Sequence, residues 1–363
     1  MVSTQEVQVV TFDALTEELK PFVGGKCASL GTMSQAGLPV PPGFAVTTSV
    51  FAEAKGLSGS RHDLLEMIAG IDLEDNAQLS RVAEQARGIV AGWPIPPAAE
   101  DQIRREYAAL CELCGVDDIP VAVRSSATSE DSPDASFAGE HDTYLWVRGA
   151  DAVLDKIRSC WASLYTDRAI AYREEMGYHH DDVDMSVAVQ KMVHPRAAGV
   201  AFTLDPTNGD KSGICIDAAW GFGEGVVSGD ITPDNFLVDK VLWNINRRII
   251  SPKAHAYRLI QTGLADDRIC RVELDEATAN APSLTDAEIV AIARLARTAE
   301  KHYGCPQDIE WAVDQDLPAG EDVVLLQARP ETVWSKKRKQ VSTGTDLMTS
   351  IVDTLVNPLY SRK

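Results

Sequence analysis

The chain has 363 residues, 45% of them apolar and 24% charged, enough to bury a sizeable core and too apolar for a disordered chain. Thirty-four Lys+Arg against 54 Asp+Glu leave a net charge of −20, which argues against nucleic acid and anionic membrane surfaces as partners. No run approaches the roughly 18 consecutive apolar residues of a membrane span and the N-terminus lacks a signal-peptide pattern, so a soluble cytoplasmic protein is expected.

The first departure from ordinary globular texture is Gly24-Gly25-Lys26-Cys27-Ala28-Ser29-Leu30. Ala28, Leu30 and Met33 predict a short helix, with Gly37 at its C′ position and Pro39 beyond. Lys26 then falls in the first turn, beside free backbone N–H groups and the positive end of the helix dipole, where an anion binds most readily. A cation there has the wrong sign for the helix. Lys26 therefore reads either as a ligand-binding residue or as a solvated lysine in a plain glycine turn. The segment is not a P-loop: Lys20 stands five before Gly25, and Cys27 takes the place of the Mg²⁺-binding Ser or Thr.

Val121-Ala122-Val123 predicts a strand ending in Arg124, followed by hydroxyl-rich residues and by Ser136-Phe137-Ala138-Gly139. A guanidinium at a strand end suits bidentate phosphate contact, and a small-residue loop lets N–H groups approach phosphate oxygens. The same pattern also reads as a surface loop with Arg124 paired to Glu130 or Asp131. One scaffold helix is predicted from the spacing of Val153, Ile157, Trp161, Leu164 and Ala169, with Trp161 in the core. Residues 187–206 predict two buried strands joined by a turn near His194-Pro195. The GxGxG at 221–225 is no dinucleotide fingerprint, because its third glycine is misplaced. Ser283 and Asp286 resemble a capping box for a helix running to Tyr303 and stopped by Gly304 and Pro306. The seven cysteines are scattered; Cys111 and Cys114 form one CxxC without a second pair, so zinc is poorly supported and reduced thiols are expected.

Near the end, period-2 alternation puts Asp308, Glu310 and Asp314 on one face of a strand and Ile309, Trp311 and Val313 on the other. On the strand from Val323 to Pro330, Gln327 and Arg329 share a face. Folded as a hairpin, the two present carboxylates, an amide oxygen and a guanidinium to one space. That donor set suits a Mg²⁺–nucleotide complex, and it also describes the solvated face of a half-exposed hairpin.

Taken in order, several blocks resemble the N-terminal ATP-binding domain of pyruvate phosphate dikinase and phosphoenolpyruvate synthase. They are GGKCASLGTM (24–33), GLPVPPGFAVTT (37–48), AVRSSATSEDSPDASFAGEHDT (122–143), CWASLYTDRAIAYR (160–173), VQKMVHPRAAGVAFTLDP (189–206), AWGFGEGVVSGDITPD (219–234), and DIEWAVD with LLQARPET (308–332). The resemblance implies an α+β ATP-grasp fold, with subdomains over residues 1–190 and 191–335 clamping Mg·ATP. A tail, 336–363, with Lys336-Lys337-Arg338-Lys339 is then left as a partner contact. By the same resemblance Lys26, Arg124 and Arg329 are the catalytic phosphate-binding cations, Glu310 and Gln327 the Mg²⁺ ligands, and Asp308 an acidic neighbour. Gln190-Lys191-Met192-Val193 is the strand whose backbone reads adenine, and Ser136-Phe137-Ala138-Gly139 the loop over the phosphates. The long acidic loop between Glu310 and Gln327 departs from the family pattern and blurs the register of the second strand.

In that family ATP phosphorylates a histidine on a swivelling domain, AMP and phosphate leave, and the histidine carries the group to an acceptor. None of the seven histidines here, His141 included, lies in a TGGxxSHxA-like motif. The resemblance therefore implies a partner subunit that carries the histidine. Among split relatives the chain resembles the ATP-binding subunit of phenylphosphate synthase, with the expected reaction phenol + ATP + H₂O → phenylphosphate + AMP + phosphate. Alternatives are a split phosphoenolpyruvate synthase, a rifampin-type antibiotic phosphotransferase and a non-catalytic nucleotide-sensing subunit. The intact set Lys26, Arg124, Glu310, Gln327 and Arg329 argues against the last.

Overall fold

The computed structural model describes residues 7–127, 142–260, 268–332 and 334, with the backbone of 131–132 and 135–136. The strands before residue 192 are β1 (Val9–Thr11), β2 (Gly43–Val46), β3 (Val121–Ala127), β4 (Asp131–Ser132), β5 (Ala135–Ser136), β6 (Thr143–Val147) and β7 (Met185–Lys191). Apart from β4 and β5, which pair with each other, they form a five-stranded sheet in the order β1-β2-β7-β3-β6. After them come β8 (Pro195–Phe202), β9 (Gly213–Trp220), β10 (Asp234–Asp239), β11 (Ile245–Ile249), β12 (His255–Ile260), β13 (Arg268–Glu273), β14 (Gln307–Asp314) and β15 (Val323–Pro330). Six of these make a second sheet, β11-β10-β9-β8-β14-β15, while β12 and β13 stand apart as a hairpin. This is the α+β architecture that the resemblance implies.

Helices α1 (Gly24–Gln35), α2 (Thr48–Leu57), α3 (Arg61–Ala69), α4 (Asn76–Ala91), α5 (Pro97–Cys114), α6 (Ala150–Ala162) and α7 (Asp167–Met176) belong to the first half, and α8 (Glu224–Val227), α9 (Glu276–Asn280) and α10 (Asp286–Tyr303) to the second. Residues of α2 to α7 bury one face of the first sheet in a core around Phe51, Trp93 and Trp161. Phe51 lies 5.6 Å from Trp93 and 5.8 Å from Trp161, centroid to centroid, so the tryptophan read as an anchor is one. Helix α10 packs Ile289, Ile292 and Ala296 against Ile216, Phe236 and Trp311 of the second sheet. Helix α1 joins the halves. Its Leu30 and Met33 enter the core of the second sheet, and the Ser29 hydroxyl donates to the Ala328 carbonyl on β15 at 2.5 Å.

The structure differs from the sequence expectations at the end of β3, within the helix expected over 153–169 and at the cap of α10. Strand β3 does not end at Arg124 but runs on to Ala127, because the buried Ser125 and Ser126 hydroxyls find carbonyl acceptors at Asp142 and Val23. The single helix expected over 153–169 is two, since Thr166 caps a new helix by accepting the Ala169 N–H. The two buried strands expected within 187–206 are present and joined next to His194-Pro195, with β7 in the first sheet and β8 in the second. The capping box of α10 is Thr285 with Glu288, not Ser283 with Asp286; Ser283 is buried and gives both its N–H and its hydroxyl to Asp234. All seven cysteines are free thiols, and no helix of the described residues is long and apolar enough to cross a membrane. Residues 336–363 lie outside the described residues.

Candidate active site

The start of α1 is fastened to β3. Gly24 has φ +63°, and a Cβ there would meet the Ser126 carbonyl oxygen at 2.2 Å, so only glycine lets the chain turn into the helix this close to the strand. Ser126 Oγ accepts the Cys27 N–H at 3.2 Å and donates to the Val23 carbonyl at 2.9 Å. The cap comes from a residue 103 positions away from Val23, so no local capping residue marks the helix start. Lys26, in the first turn, extends its Nζ to the Ser125 carbonyl at 3.1 Å, next to Arg124. Burial pushes the neighbouring Cys27 thiol up against the opposing pull of its Ser186 and Ser126 hydrogen bonds and of Lys26 and Arg124. Cys27 is a packed thiol, not a nucleophile.

The hairpin of β14 and β15 brings its polar residues opposite one another, Asp308 to Arg329 and Glu310 to Gln327. Beyond Glu310 the register shifts, and Trp311 faces Leu325, leaving Leu326 as an extra residue in a β-bulge. The bulge frees the Leu326 carbonyl, which accepts from Arg124 Nη1 at 3.4 Å. Arg124 Nη2 donates to Gln327 Oε1 at 3.1 Å and lies 3.6 Å from Glu310 Oε2. One guanidinium of the first sheet thus reaches across to three oxygens of the second; Glu130 and the side chain of Asp131, the partners the sequence suggested, lie outside the described residues. Arg329 Nε donates to Asp308 Oδ2 at 2.8 Å. Burial pushes the Asp308 carboxyl up, with Arg329 pulling it back.

Between the sheets lies a cavity of about 630 Å³, within the range of small-molecule sites. Arg124 and Glu310 line part of it. Met192, Val193, Ala198, Phe222 and Leu326 give it apolar wall, and Lys191 and Glu224 line it as well. Gln190 to Val193, expected to read a base, border this cavity, but much of their polarity serves the fold. Gln190 Nε2 donates to the Pro41 carbonyl, and the Lys191 and Met192 N–H groups go to Pro42 and Pro120. Lys191 Nζ lies 3.4 Å from Asp314. Ser136 lies in β5, its side chain not described, and Phe137, Ala138 and Gly139 lie outside the described residues. Two cavity residues, Phe222 and Glu224, had no role in the sequence reading, although the Gly-rich block around them stood out. Among the described residues no three His, Cys, Asp or Glu side chains converge as a metal cage.

The chain is thus an α+β domain with a cleft between two sheets, lined in part by the Arg124 guanidinium and the Glu310 carboxylate. Sequence comparison gives the family. The one described as pyruvate phosphate dikinase, AMP/ATP-binding domain, matches residues 20–349, and the chain belongs to it. A probable phosphoenolpyruvate synthase of Staphylothermus marinus is 40% identical over 354 residues, covering 92% of this chain and 42% of the relative. A probable phosphoenolpyruvate synthase of Methanothermobacter thermautotrophicus is 41% identical over 332 residues, covering 92% and 47%. The phosphoenolpyruvate synthase of Aeropyrum pernix is 40% identical over 356 residues, covering 92% and 43%. The chain thus spans less than half the length of these relatives.

Proposed function

We propose that the chain binds Mg·ATP in the cleft between its sheets and performs the nucleotide half of a dikinase-type transfer, phosphorylating a histidine outside the described residues with release of AMP and phosphate. The observation that carries this reading is the reach of Arg124 across the cleft to Gln327 and Glu310. These two hard oxygens already grip one cation, the guanidinium, and their number suits Mg²⁺, which takes one or two protein oxygens and the rest from phosphates and water. Glu310 and Gln327 would hold the metal, whose charge, when bound, offsets that of the polyphosphate.

The rest falls to the chain's own side chains. Arg124, Lys26 and Arg329 bind phosphate oxygens and hold the polyphosphate in line for attack; Asp308 orients Arg329. The base lies at the apolar wall, where the engaged N–H groups of Lys191 and Met192 leave its edge to Val193 and the carbonyls of that stretch. Subdomains meeting near residue 190, and a phosphate-covering loop at 136–139, belong to the same reading. The finer reading, a separate histidine-bearing subunit and phenol as acceptor, follows the split relatives; the names of the matched relatives point to phosphoenolpyruvate as product instead.

AMP formation tests the proposal. The chain is incubated with Mg·ATP, alone and with the histidine-bearing polypeptide found with it, and with pyruvate, phenol or neither. AMP that depends on that polypeptide supports the reading, and phosphoenolpyruvate or phenylphosphate then names the acceptor. Sustained AMP release by the chain alone contradicts it.

A further inference from the structure

Trp146 lies in β6 where the pairing slips. Val121 faces Val147 and Val123 faces Tyr144, so Leu145 and Trp146 together oppose Ala122. In this bulge Trp146 takes φ +61°, a left-handed backbone that Trp243 alone shares among the described non-glycine residues. A bulky side chain in that region is a strained outlier that a fold keeps where the strain has a use. The indole Nε1 is buried without a hydrogen-bond partner among the described residues, as are those of the core residues Trp161 and Trp311, so the ring acts here through its packing.

The bulge has a geometric result. Leu145 becomes part of the cavity wall, and the Trp146 ring stands edge-on to His194 at 6.0 Å and to Phe222 at 6.5 Å. Trp146 belongs to the first sheet, His194 to the link between sheets, and Phe222 to the segment after β9 of the second. The ring packs on the cluster of Ala122, Met192 and Phe222, and those three line the cavity. Ala122 and Arg124 are two residues apart on one strand and point the same way, so the apolar wall and the base of the Arg124 side chain are about 7 Å apart along the backbone.

Resting on the reading of this cleft as a nucleotide site, we infer that Trp146 is a positioning residue for base recognition. It pins Phe222 and Met192 from behind and holds the wall against which the base of a nucleoside triphosphate lies. The polyphosphate is bound elsewhere, by Arg124 and its neighbours, so Trp146 separates affinity for the nucleoside from affinity for the phosphates.

Calorimetric titration with Mg·ATP and with Mg·tripolyphosphate tests this on the wild type, Trp146→Asn and Trp146→Phe. Asparagine tolerates the left-handed backbone, so the fold survives, which thermal unfolding checks. Trp146→Asn is expected to weaken Mg·ATP by about tenfold or more and to leave Mg·tripolyphosphate within about twofold, while Trp146→Phe restores most of the loss. Unchanged ATP affinity in Trp146→Asn, or equal losses for both ligands, overturns the inference and leaves the cleft reading standing. A wild-type chain that fails to bind Mg·ATP overturns both. Should the asparagine variant not fold, the difference in tryptophan emission between wild type and Trp146→Phe decides. It must respond to ATP and not to tripolyphosphate, and an absent or shared response overturns the inference.

Discussion

Two ion pairs of this chain are built in opposite ways. Asp234 and Lys253 are both fully buried and meet at 2.5 Å. The Asp234 oxygens also accept the Ser251 N–H at 3.0 Å, the Ser283 N–H at 2.8 Å and the Ser283 hydroxyl at 2.7 Å. Arg124 and Glu310, with side chains 15% and 25% exposed, stand 3.6 Å apart, and the guanidinium divides itself among Glu310, Gln327 and the Leu326 carbonyl. The sealed pair has its lone pairs engaged and nothing to exchange. The open pair joins two sheets through long contacts that phosphate oxygens or a metal can replace at little cost. Its looseness fits the role proposed for it.

Breaking the sealed pair should have the largest effect. Asp234→Asn leaves Lys253 as an uncompensated buried charge and should lower unfolding free energy by about 3–5 kcal/mol in urea titrations, while the folded fraction binds nucleotide normally. Glu310→Gln should do the reverse. AMP formation with the histidine-bearing polypeptide should fall about 100-fold or more, equivalent to about 2.7 kcal/mol, while the melting temperature stays within about 2 °C, because a loose, partly exposed pair at 3.6 Å adds little stability. A melting temperature that collapses in Glu310→Gln would erase the contrast. Arg124→Lys keeps the charge and loses the planar fork, so Mg·ATP affinity should drop about tenfold by calorimetry with no change in fold.

The smallest effect lies far from the cleft, at His180. Its Nδ1 accepts from Arg173 Nε at 2.9 Å and its Nε2 lies 2.7 Å from Glu174. Burial holds the imidazole below its ordinary value, with the Glu174 hydrogen bond opposing. The folded chain therefore keeps His180 neutral at pH values where the unfolded chain has protonated it. That contribution is complete above about pH 6.5 and is lost as pH falls through the depressed folded value. Between about pH 7 and pH 5 the wild type should lose about 1–3 °C more in melting temperature than His180→Gln, with nucleotide affinity of the two unchanged relative to each other.

The polar face of Asp308 and Glu310, and of Gln327 and Arg329, was legible because a strand's period is two and each pair stands two residues apart. Lys26 was legible because glycines and an apolar spacing of three to four announce a helix start. What escaped the sequence depends on contacts between distant segments. The cap of α1 is Ser126, and the partners of Arg124 are some 200 residues away, so its position within a strand instead of at the strand's end had no local mark. The Leu326 bulge belongs to the pairing of two strands and to neither alone. Phe222 reads as one apolar residue among glycines, and nothing in TYLWV announces the left-handed turn at Trp146.

In the proposed function, Glu310 and Gln327 of the second sheet and Arg124 of the first form one Mg·ATP site. Its most direct test is calorimetric titration of the wild type and Glu310→Gln with ATP, in Mg²⁺ and in chelator. The account predicts that Mg²⁺ tightens ATP binding by about tenfold or more in the wild type and that this gain disappears in Glu310→Gln. ATP binding indifferent to Mg²⁺ in the wild type, or a Mg²⁺ gain that survives the loss of Glu310, would contradict it.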